Sequence, residues 1–73
     1  MKKADQYTKT EFGKFVKRQY GSLDEFANAL ELSVPTCRTY IKHPIRMRIS
    51  EFNKITEQTQ ISAQQLWTII RHQ

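Results

Sequence analysis

The sequence predicts an all-α fold of five helices in one domain, and three observations lead to this prediction. Capping boxes, in which a Ser or Thr and a Glu or Gln three residues later satisfy the first amides of a helix, occur three times in the 73 residues. Apolar residues then recur at i, i+3, i+4 and i+7, the spacing of one helix face. Gly21 and Pro44 separate these stretches, because a glycine readily ends a helix and a proline cannot continue one.

Helix 1 is predicted over residues 8–20, between a capping box of Thr8 with Glu11 and the helix-ending Gly21. Its apolar stripe consists of Phe12, Phe15, Val16 and Tyr20. The remaining face carries the basic residues Lys9, Lys14, Lys17 and Arg18. That face is either an ordinary solvated surface or a surface that lies beside a phosphate backbone.

Helix 2 is predicted to begin at Leu23, because Ser22 and Glu25 form a second capping box. One apolar stripe on this helix contains Leu23, Phe26, Ala27 and Leu30. The small side chain of Ala27 lies in the middle of the stripe and lets another helix approach closely. Helix 2 is therefore expected to pack against a neighbouring helix.

Helix 3 is predicted to begin near Val34, since Ser33 can cap it and Pro35 suits the first turn, where its missing N–H has no partner to lose. Its buried stripe is Cys37, Tyr40 and Ile41. Its opposite face is Pro35, Arg38, Thr39 and Lys42. Helices 2 and 3, over residues 23–42, thus have the layout of a helix-turn-helix whose second helix presents a polar, basic face.

The remaining chain is predicted to contain a connector over 43–50 and two more helices. Because apolar and basic residues alternate along 45–49, a short β-strand is an alternative for the connector. Helix 4 opens at Ile49 or Ser50 and ends in the polar run 56–60. Its residues expected to face the core are Phe52, Ile55 and Thr56.

Helix 5 follows a third capping box, formed by Ser62 with Gln65. Its apolar stripe is Leu66, Ile69 and Ile70, with Trp67 at the edge. Residues 1–7 and the last one or two residues are expected to fray.

Composition excludes several classes of function. The net charge of +5 and a pI near 9.7 favour a polyanionic partner, which leaves DNA, RNA and an anionic membrane open. One Cys and two His are too few for a disulfide framework or a structural zinc site, so we expect a reducing compartment and no metal. The sequence contains no paired carboxylates, His-Cys pair or Gly-rich phosphate loop, so we expect no catalytic residues and no enzyme.

Two further expectations concern location and the single thiol. The N-terminus has no apolar signal segment and no run approaches the roughly 20 apolar residues of a spanning helix, so we expect a cytoplasmic protein with no membrane partner. Cys37 lies on the predicted buried stripe of helix 3, so we expect a packed, unreactive thiol.

From Thr8 to Ile70 the chain resembles the Cro- and cI-type phage repressors, the Xre-like helix-turn-helix family. In that family the motif has a small residue at its fifth place and apolar residues at its eighth, tenth, fifteenth and eighteenth. Those places are filled here by Ala27, Leu30, Leu32, Cys37 and Tyr40. Two residues depart from the pattern. Glu31 stands where the family usually has Gly, and Pro35 stands where relatives usually project a hydrogen-bonding side chain toward a base.

The resemblance implies a compact five-helix bundle of the lambda-repressor-like type and a function in a bacterial or phage-infected cell. That function is a Cro-like repressor that binds a double-stranded DNA operator as a homodimer, with helix 3 in the major groove and no cofactor or small-molecule ligand. The predicted base-reading residues are Val34, Pro35, Thr36, Arg38 and Thr39. The predicted phosphate contacts are Ser22, Ser33, Lys42, His43, Arg46 and Arg48. The predicted dimer contacts are Trp67 and Ile70.

Two other classes of function remain open at this point. One is a protein-interaction module that uses the same scaffold, such as an antitoxin, an anti-repressor or a phage factor that binds polymerase. The other is an architectural DNA binder such as an excisionase, which would bend DNA with weak sequence preference.

Overall fold

A computed structural model describes residues 7–71, and every regular element among them is helical. The elements in chain order are α1 (Glu11–Tyr20), α2 (Leu23–Leu30), α3 (Val34–Lys42), a 3-10 turn (Pro44–Arg46), α4 (Ile49–Thr59) and α5 (Ala63–Arg71). The five predicted helices are therefore confirmed. The strand alternative for the connector is wrong, because the 3-10 turn occupies that place.

The core contains residues from the predicted stripe of every helix, and five further stripe residues are only partly buried: Tyr20, Tyr40, Phe52, Thr56 and Ile69. α1 lies against α2 and α5, while α2 packs on α3 and α4. Ala27 is buried in the middle of α2, as its small size led us to expect. The buried apolar residues are Phe12, Phe15, Val16, Leu23, Phe26, Ala27, Leu30, Cys37, Ile41, Ile55, Leu66 and Ile70. This arrangement leaves the opposite face of α3 outside the core.

The start of α1 differs from the prediction. Thr10, and not Thr8, caps the helix, since its Oγ1 accepts a hydrogen bond from the Gly13 amide at 2.9 Å. Residues 7–9 form a 3-10 turn that folds back over the helix start. A Cβ at Gly13 would overlap the Tyr7 carbonyl oxygen, so the absence of a side chain at Gly13 lets this turn approach. Tyr7 accordingly packs against the core instead of fraying, whereas the fraying predicted for residues 1–6 and 72–73 lies outside the described residues.

Three helices end on a residue with positive φ. Gly21 ends α1 at φ 92°, as predicted. Glu31 ends α2 in the left-handed conformation, with φ 60° and ψ 41°. The amide of Leu32 then reaches back to the Ala27 carbonyl at 3.0 Å, which is the long hydrogen bond of a Schellman motif. Gln60 ends α4 with nearly the same backbone angles, a feature that the sequence analysis did not predict.

The other predicted caps are confirmed by their hydrogen bonds. The Ser22 hydroxyl accepts from the Glu25 amide at 3.1 Å and begins α2. At α5 the box is reciprocal: the Ser62 amide donates to Gln65 Oε1 at 3.0 Å, and the Gln65 amide donates to Ser62 Oγ at 3.1 Å. Local hydrogen bonds therefore determine where these two helices begin.

One polar link joins three helices away from the caps. The Tyr20 hydroxyl donates to Gln58 Oε1 at 2.7 Å, and Gln58 Nε2 donates to the Ala29 carbonyl at 2.9 Å. Burial raises the pKa of Tyr20 to about 12. The link holds α4 against the ends of α1 and α2. Between residues 7 and 71, no helix has the length and apolar character needed to cross a bilayer.

Candidate nucleic-acid interface

The outer face of α3 is exposed along its whole length. Its four members, spaced at i, i+3, i+4 and i+7, are Pro35, Arg38, Thr39 and Lys42. On the inner face, Cys37 and Ile41 are buried in the core, and Tyr40 is only partly buried. The helix is thus anchored along one side and presents a polar, cationic surface along the other.

Two polar side chains at the start of α3, Ser33 and Thr36, are hydrogen-bonded to each other. The Ser33 hydroxyl accepts from the Thr36 amide at 3.3 Å and donates to Thr36 Oγ1 at 2.9 Å. Ser33 therefore caps α3 as predicted, and its hydroxyl proton is already engaged. Val34 and Thr36 are partly buried, so they offer less surface to a ligand than the other predicted base-reading residues.

Arg38 and Thr39 remain the two exposed polar side chains of this face near the start of the helix. The Thr39 hydroxyl donates to the Pro35 carbonyl at 3.2 Å, which leaves its oxygen lone pairs and its methyl group for a ligand. Among residues 7–71 the single salt bridge joins Lys14 with Glu11 at 3.5 Å, so Arg38 is not held by a carboxylate of the described chain. Its guanidinium is available to an external acceptor.

A basic turn, residues 43–48, follows α3 directly. The exposed side chains of this turn and of the last residue of α3 are Lys42, His43, Arg46 and Arg48. Between Glu31 and Glu51 the chain carries four Lys or Arg residues and no acidic residue. The predicted phosphate-contacting side chains at the end of α3 and in the basic turn therefore all lie within residues 42–48 and are solvent-accessible.

Ser22 belongs to a different element, since it caps the start of α2. Its hydroxyl is occupied as the helix cap, and the side chain is only partly exposed. A phosphate at this position would be met by backbone amides of the first turn rather than by the hydroxyl.

Behind α3 lies a small polar cluster formed by Cys37, Tyr40 and Glu51. Glu51 is 7% exposed, and its Oε1 accepts a hydrogen bond from the Arg48 amide at 3.2 Å. Desolvation, and then the Glu51 charge, raise the pKa of the fully buried Cys37 thiol to about 11. Desolvation and a hydrogen bond to Glu51 raise the pKa of Tyr40. The thiol is therefore protonated at neutral pH and shielded from solvent.

Sequence reasoning missed Glu51 as a member of this cluster. Its position three residues after Arg48 is the capping-box position for a carboxylate, and that spacing was the signal available. Across the described part of the chain, no group of three His, Cys, Asp or Glu side chains is arranged to hold a metal ion.

The predicted dimer contacts differ in accessibility. Trp67 is 44% exposed on α5, whereas Ile70 is 7% exposed and packs in the core of its own chain. A contact on α5 would therefore rest on Trp67. Two further apolar side chains that the sequence analysis did not single out are also exposed: Ile45 at 76% and Ile49 at 78%, on either side of the basic turn's arginines.

Comparison of the chain with protein-family models, curated proteins and solved structures finds no match. The resemblance to Cro- and cI-type repressors therefore rests on the sequence alone. Of the two departures from that motif, Glu31 adopts the left-handed conformation that a glycine accommodates most easily. Pro35 is exposed on the outer face of α3, where it offers an apolar surface.

Proposed function

We propose that the protein is a sequence-specific DNA-binding regulator of transcription, a Cro-like repressor that places α3 in the major groove of its operator. The observation that carries this proposal is the exposed face of α3 together with the acid-free basic turn that continues from it. Groove-reading helices need exposed polar side chains, and phosphate contacts need unpaired cations close by. Both requirements are met within one continuous stretch of chain.

Arg38 is the base-reading residue with the clearest chemistry. Its guanidinium donates two parallel hydrogen bonds, which match the O6 and N7 acceptors of guanine in the major groove. Thr39 offers an acceptor and a methyl group, and Pro35 an apolar surface suited to a thymine methyl. These three residues would carry the sequence preference.

Lys42, Arg46 and Arg48 would position the protein on the phosphate backbone. Contacts of this kind add affinity to every sequence and make binding depend on salt. His43 is exposed beside them. A homodimer joined through Trp67 would place two α3 helices about 34 Å apart, one turn of DNA, and would select a near-palindromic site.

The experiment is selection of bound duplexes from a random pool near physiological salt, followed by titration of the enriched and scrambled duplexes. We expect a near-palindrome bound at least roughly a thousandfold more tightly than scrambled DNA. Arg38→Ala is expected to cost about 1 to 3 kcal/mol and to relax the preference at one base pair. Arg46→Ala is expected to weaken all sequences alike and to lower the salt slope by about one unit.

Lys54→Ala is the matched control, because Lys54 is an exposed cation of α4 outside the acid-free stretch. Lys54→Ala should leave the preference for the enriched duplex over scrambled DNA unchanged. If Arg38→Ala and Arg46→Ala have the same effect on every duplex, the assignment of reading and positioning roles is wrong. If no duplex is enriched, the DNA proposal itself fails.

A second candidate is a protein-interaction module, and the exposure of Ile45 and Ile49 favours it. Two large apolar side chains more than three-quarters exposed within a few residues are suited to an apolar partner surface. Absence of duplex enrichment, with loss of partner binding in an Ile45→Ser variant, would support this candidate over DNA binding. Strong bending of DNA with little sequence preference would instead indicate an architectural role.

A further inference from the structure

The turn that follows α3 exposes apolar and cationic side chains side by side. Ile45 is 76% exposed and Ile49 is 78% exposed, and they are the two most exposed large apolar side chains that the structure describes. Arg46 and Arg48 lie between them in the chain and are exposed as well. One exposed isoleucine is ordinary, but two that flank arginines within a few residues form a surface with two kinds of chemistry.

The backbone of this turn is held against the domain. Pro44 is buried, and Met47 packs against the core. The Met47 amide donates to the Pro44 carbonyl at 3.0 Å, and the Arg48 amide donates to Glu51 Oε1 at 3.2 Å. These contacts fix the turn and leave the isoleucines outside the core. A surface that is formed before binding loses little conformational entropy when a partner binds to it.

The two kinds of side chain restrict the chemistry of a partner. Arg46 and Arg48 form no salt bridge within residues 7–71. No acidic residue lies between Glu31 and Glu51. An anionic partner would therefore complement the arginines. The isoleucines are complemented only by apolar surface, whereas DNA phosphates are contacted through hydrogen bonds and charge. An acidic protein segment that also carries apolar side chains meets both conditions.

Two other occupants fit this surface less well. A second copy of the chain in a two-fold contact would place its own basic turn opposite this one, and the like charges would repel. An anionic membrane is bound by helices with a continuous apolar face. Here the chain forms a 3-10 turn, Pro44–Arg46, and then the first turn of α4. Two exposed isoleucines on these short elements do not make such a face.

We propose that residues 45–49 are a docking surface for an acidic protein segment with apolar side chains, which packs on both isoleucines and pairs its carboxylates with Arg46 and Arg48. Because these arginines are also the proposed phosphate contacts, the partner and DNA exclude each other. The docking itself does not depend on DNA binding, whereas the exclusion rests on the proposed function. A partner of this kind would release the protein from its operator.

The probe is a surface-displayed library of random peptides. The library is first depleted on the Ile45→Ser, Ile49→Ser double variant and then selected on the wild-type protein. Enriched peptides are expected to combine Asp or Glu with large apolar residues. One of them is then synthesised with a fluorescent label, together with a version whose acidic residues are replaced by their amides and a version whose apolar residues are replaced by serine. Both versions are expected to bind more weakly. If no peptide prefers the wild type over the double variant, or if the enriched peptides carry no acidic residue, the proposal is wrong.

Single variants of the protein test each side chain by fluorescence anisotropy. Ile45→Ser and Ile49→Ser are each expected to weaken the peptide about tenfold, the order expected when one aliphatic side chain no longer buries its surface. Both isoleucines are exposed, so the serine variants are expected to fold, and an unfolding curve checks this. Ile45→Leu keeps an apolar side chain, and Lys54→Ala removes an exposed cation elsewhere on α4, so both controls should bind like the wild type. Equal peptide binding by the serine variants and the wild type would overturn the proposal.

Titration of the enriched duplex separates this inference from the proposed function. Ile45→Ser and Ile49→Ser are expected to bind that duplex like the wild type, whereas Arg46→Ala should weaken both duplex and peptide. Added duplex is expected to release the labelled peptide, and a ternary complex would refute the exclusion. If no duplex is enriched, the proposed function fails, and the peptide titrations alone decide whether the docking surface exists. Loss of duplex binding in the serine variants would mean that the isoleucines contact DNA, which would overturn the proposal.

Vesicles of phosphatidylglycerol and phosphatidylcholine test the lipid alternative. The wild type and the double serine variant are expected to bind these vesicles equally. If the double variant loses vesicle binding and no peptide is enriched, the surface belongs to a lipid partner and the proposal is wrong.

Discussion

Replacing Glu31 by glycine is expected to stabilise the protein. Glu31 ends α2 with φ 60° and ψ 41°, a conformation in which an L-residue brings its Cβ close to the following carbonyl oxygen. Glycine has no Cβ and adopts this conformation without that cost. The Glu31 side chain is exposed and forms no salt bridge with residues 7–71, so its removal deletes no packing.

Three contributions determine the size of the effect. Relief of the left-handed conformation contributes roughly 1 to 2 kcal/mol. The greater freedom of glycine in the unfolded chain offsets about 0.4 to 1 kcal/mol of this gain. Removing a negative charge from the C-terminal end of a helix adds about 0.3 to 1 kcal/mol. The expected net gain is about 1 kcal/mol, which in a domain of this size raises Tm by roughly 4 to 8 °C.

Urea unfolding followed by circular dichroism measures this gain, and two other substitutions isolate its cause. Glu31→Gln removes the charge and keeps the Cβ, so it is expected to recover only the charge contribution of about 0.3 to 1 kcal/mol. Gln60→Gly relieves nearly the same backbone angles with no change of charge and should also stabilise. Glu57→Gly places glycine inside α4, at an exposed position, and should destabilise by about 1 kcal/mol.

The reasoning is refuted if Glu31→Gly is no more stable than Glu31→Gln. That result would mean that the backbone at residue 31 carries no conformational cost in solution. A changed m-value would point instead to an effect on the unfolded ensemble.

Three further predictions test the packing around α1 and α3. Gly13→Ala is expected to destabilise by about 1 to 3 kcal/mol in urea unfolding, because the new Cβ would overlap the Tyr7 carbonyl oxygen. Helix propensity alone would stabilise the Gly13→Ala variant by about 1 kcal/mol. The sign of the change in unfolding free energy therefore shows whether the overlap with Tyr7 or helix propensity dominates. The Cys37 thiol is expected to react with a thiol reagent at pH 8 only after unfolding, since it is fully buried. Burial raises its folded pKa to about 11 from the ordinary thiol value of 9.0, so the stability from this group is complete below pH 9 and is lost as pH rises toward 11. In Cys37→Ala the urea midpoint should fall less steeply between pH 9 and 11 than it does in the wild type. An equal pH dependence in both proteins would contradict the raised pKa of Cys37.

The sequence predicted the helices well where they depend on interactions between residues close together in the chain. Ser22 and Ser62 begin their helices because the hydrogen bonds that stabilise them join residues three apart, and such spacing is visible in the chain. The stripe of α2 was also predicted in full, because the helical period places those residues on one face whatever they pack against. The strand alternative for residues 45–49 arose because a short alternating stretch is compatible with more than one local structure.

The candidate interface was predicted in outline for the same reason. Once Ser33 and Pro35 place the start of α3, the helical period alone puts Arg38 and Lys42 on the face opposite Cys37. Which members of that face are accessible depended on tertiary structure. Val34 is partly covered by packing against the core, a contact that the sequence of α3 does not contain.

Tertiary structure alone decided the features that involve residues from different elements. Two threonines precede α1, and the choice of Thr10 as the cap is accompanied by a 3-10 turn lying close over Gly13. Glu51 is buried in the first turn of α4, and its own helix gives no reason to bury a carboxylate. By itself, the sequence determined the starts of α2 to α5, the apolar faces and the basic stretch after α3, since these depend on neighbours within a few residues. The fold decided which polar groups are buried and which cations stay free, since burial is set by the elements that pack together.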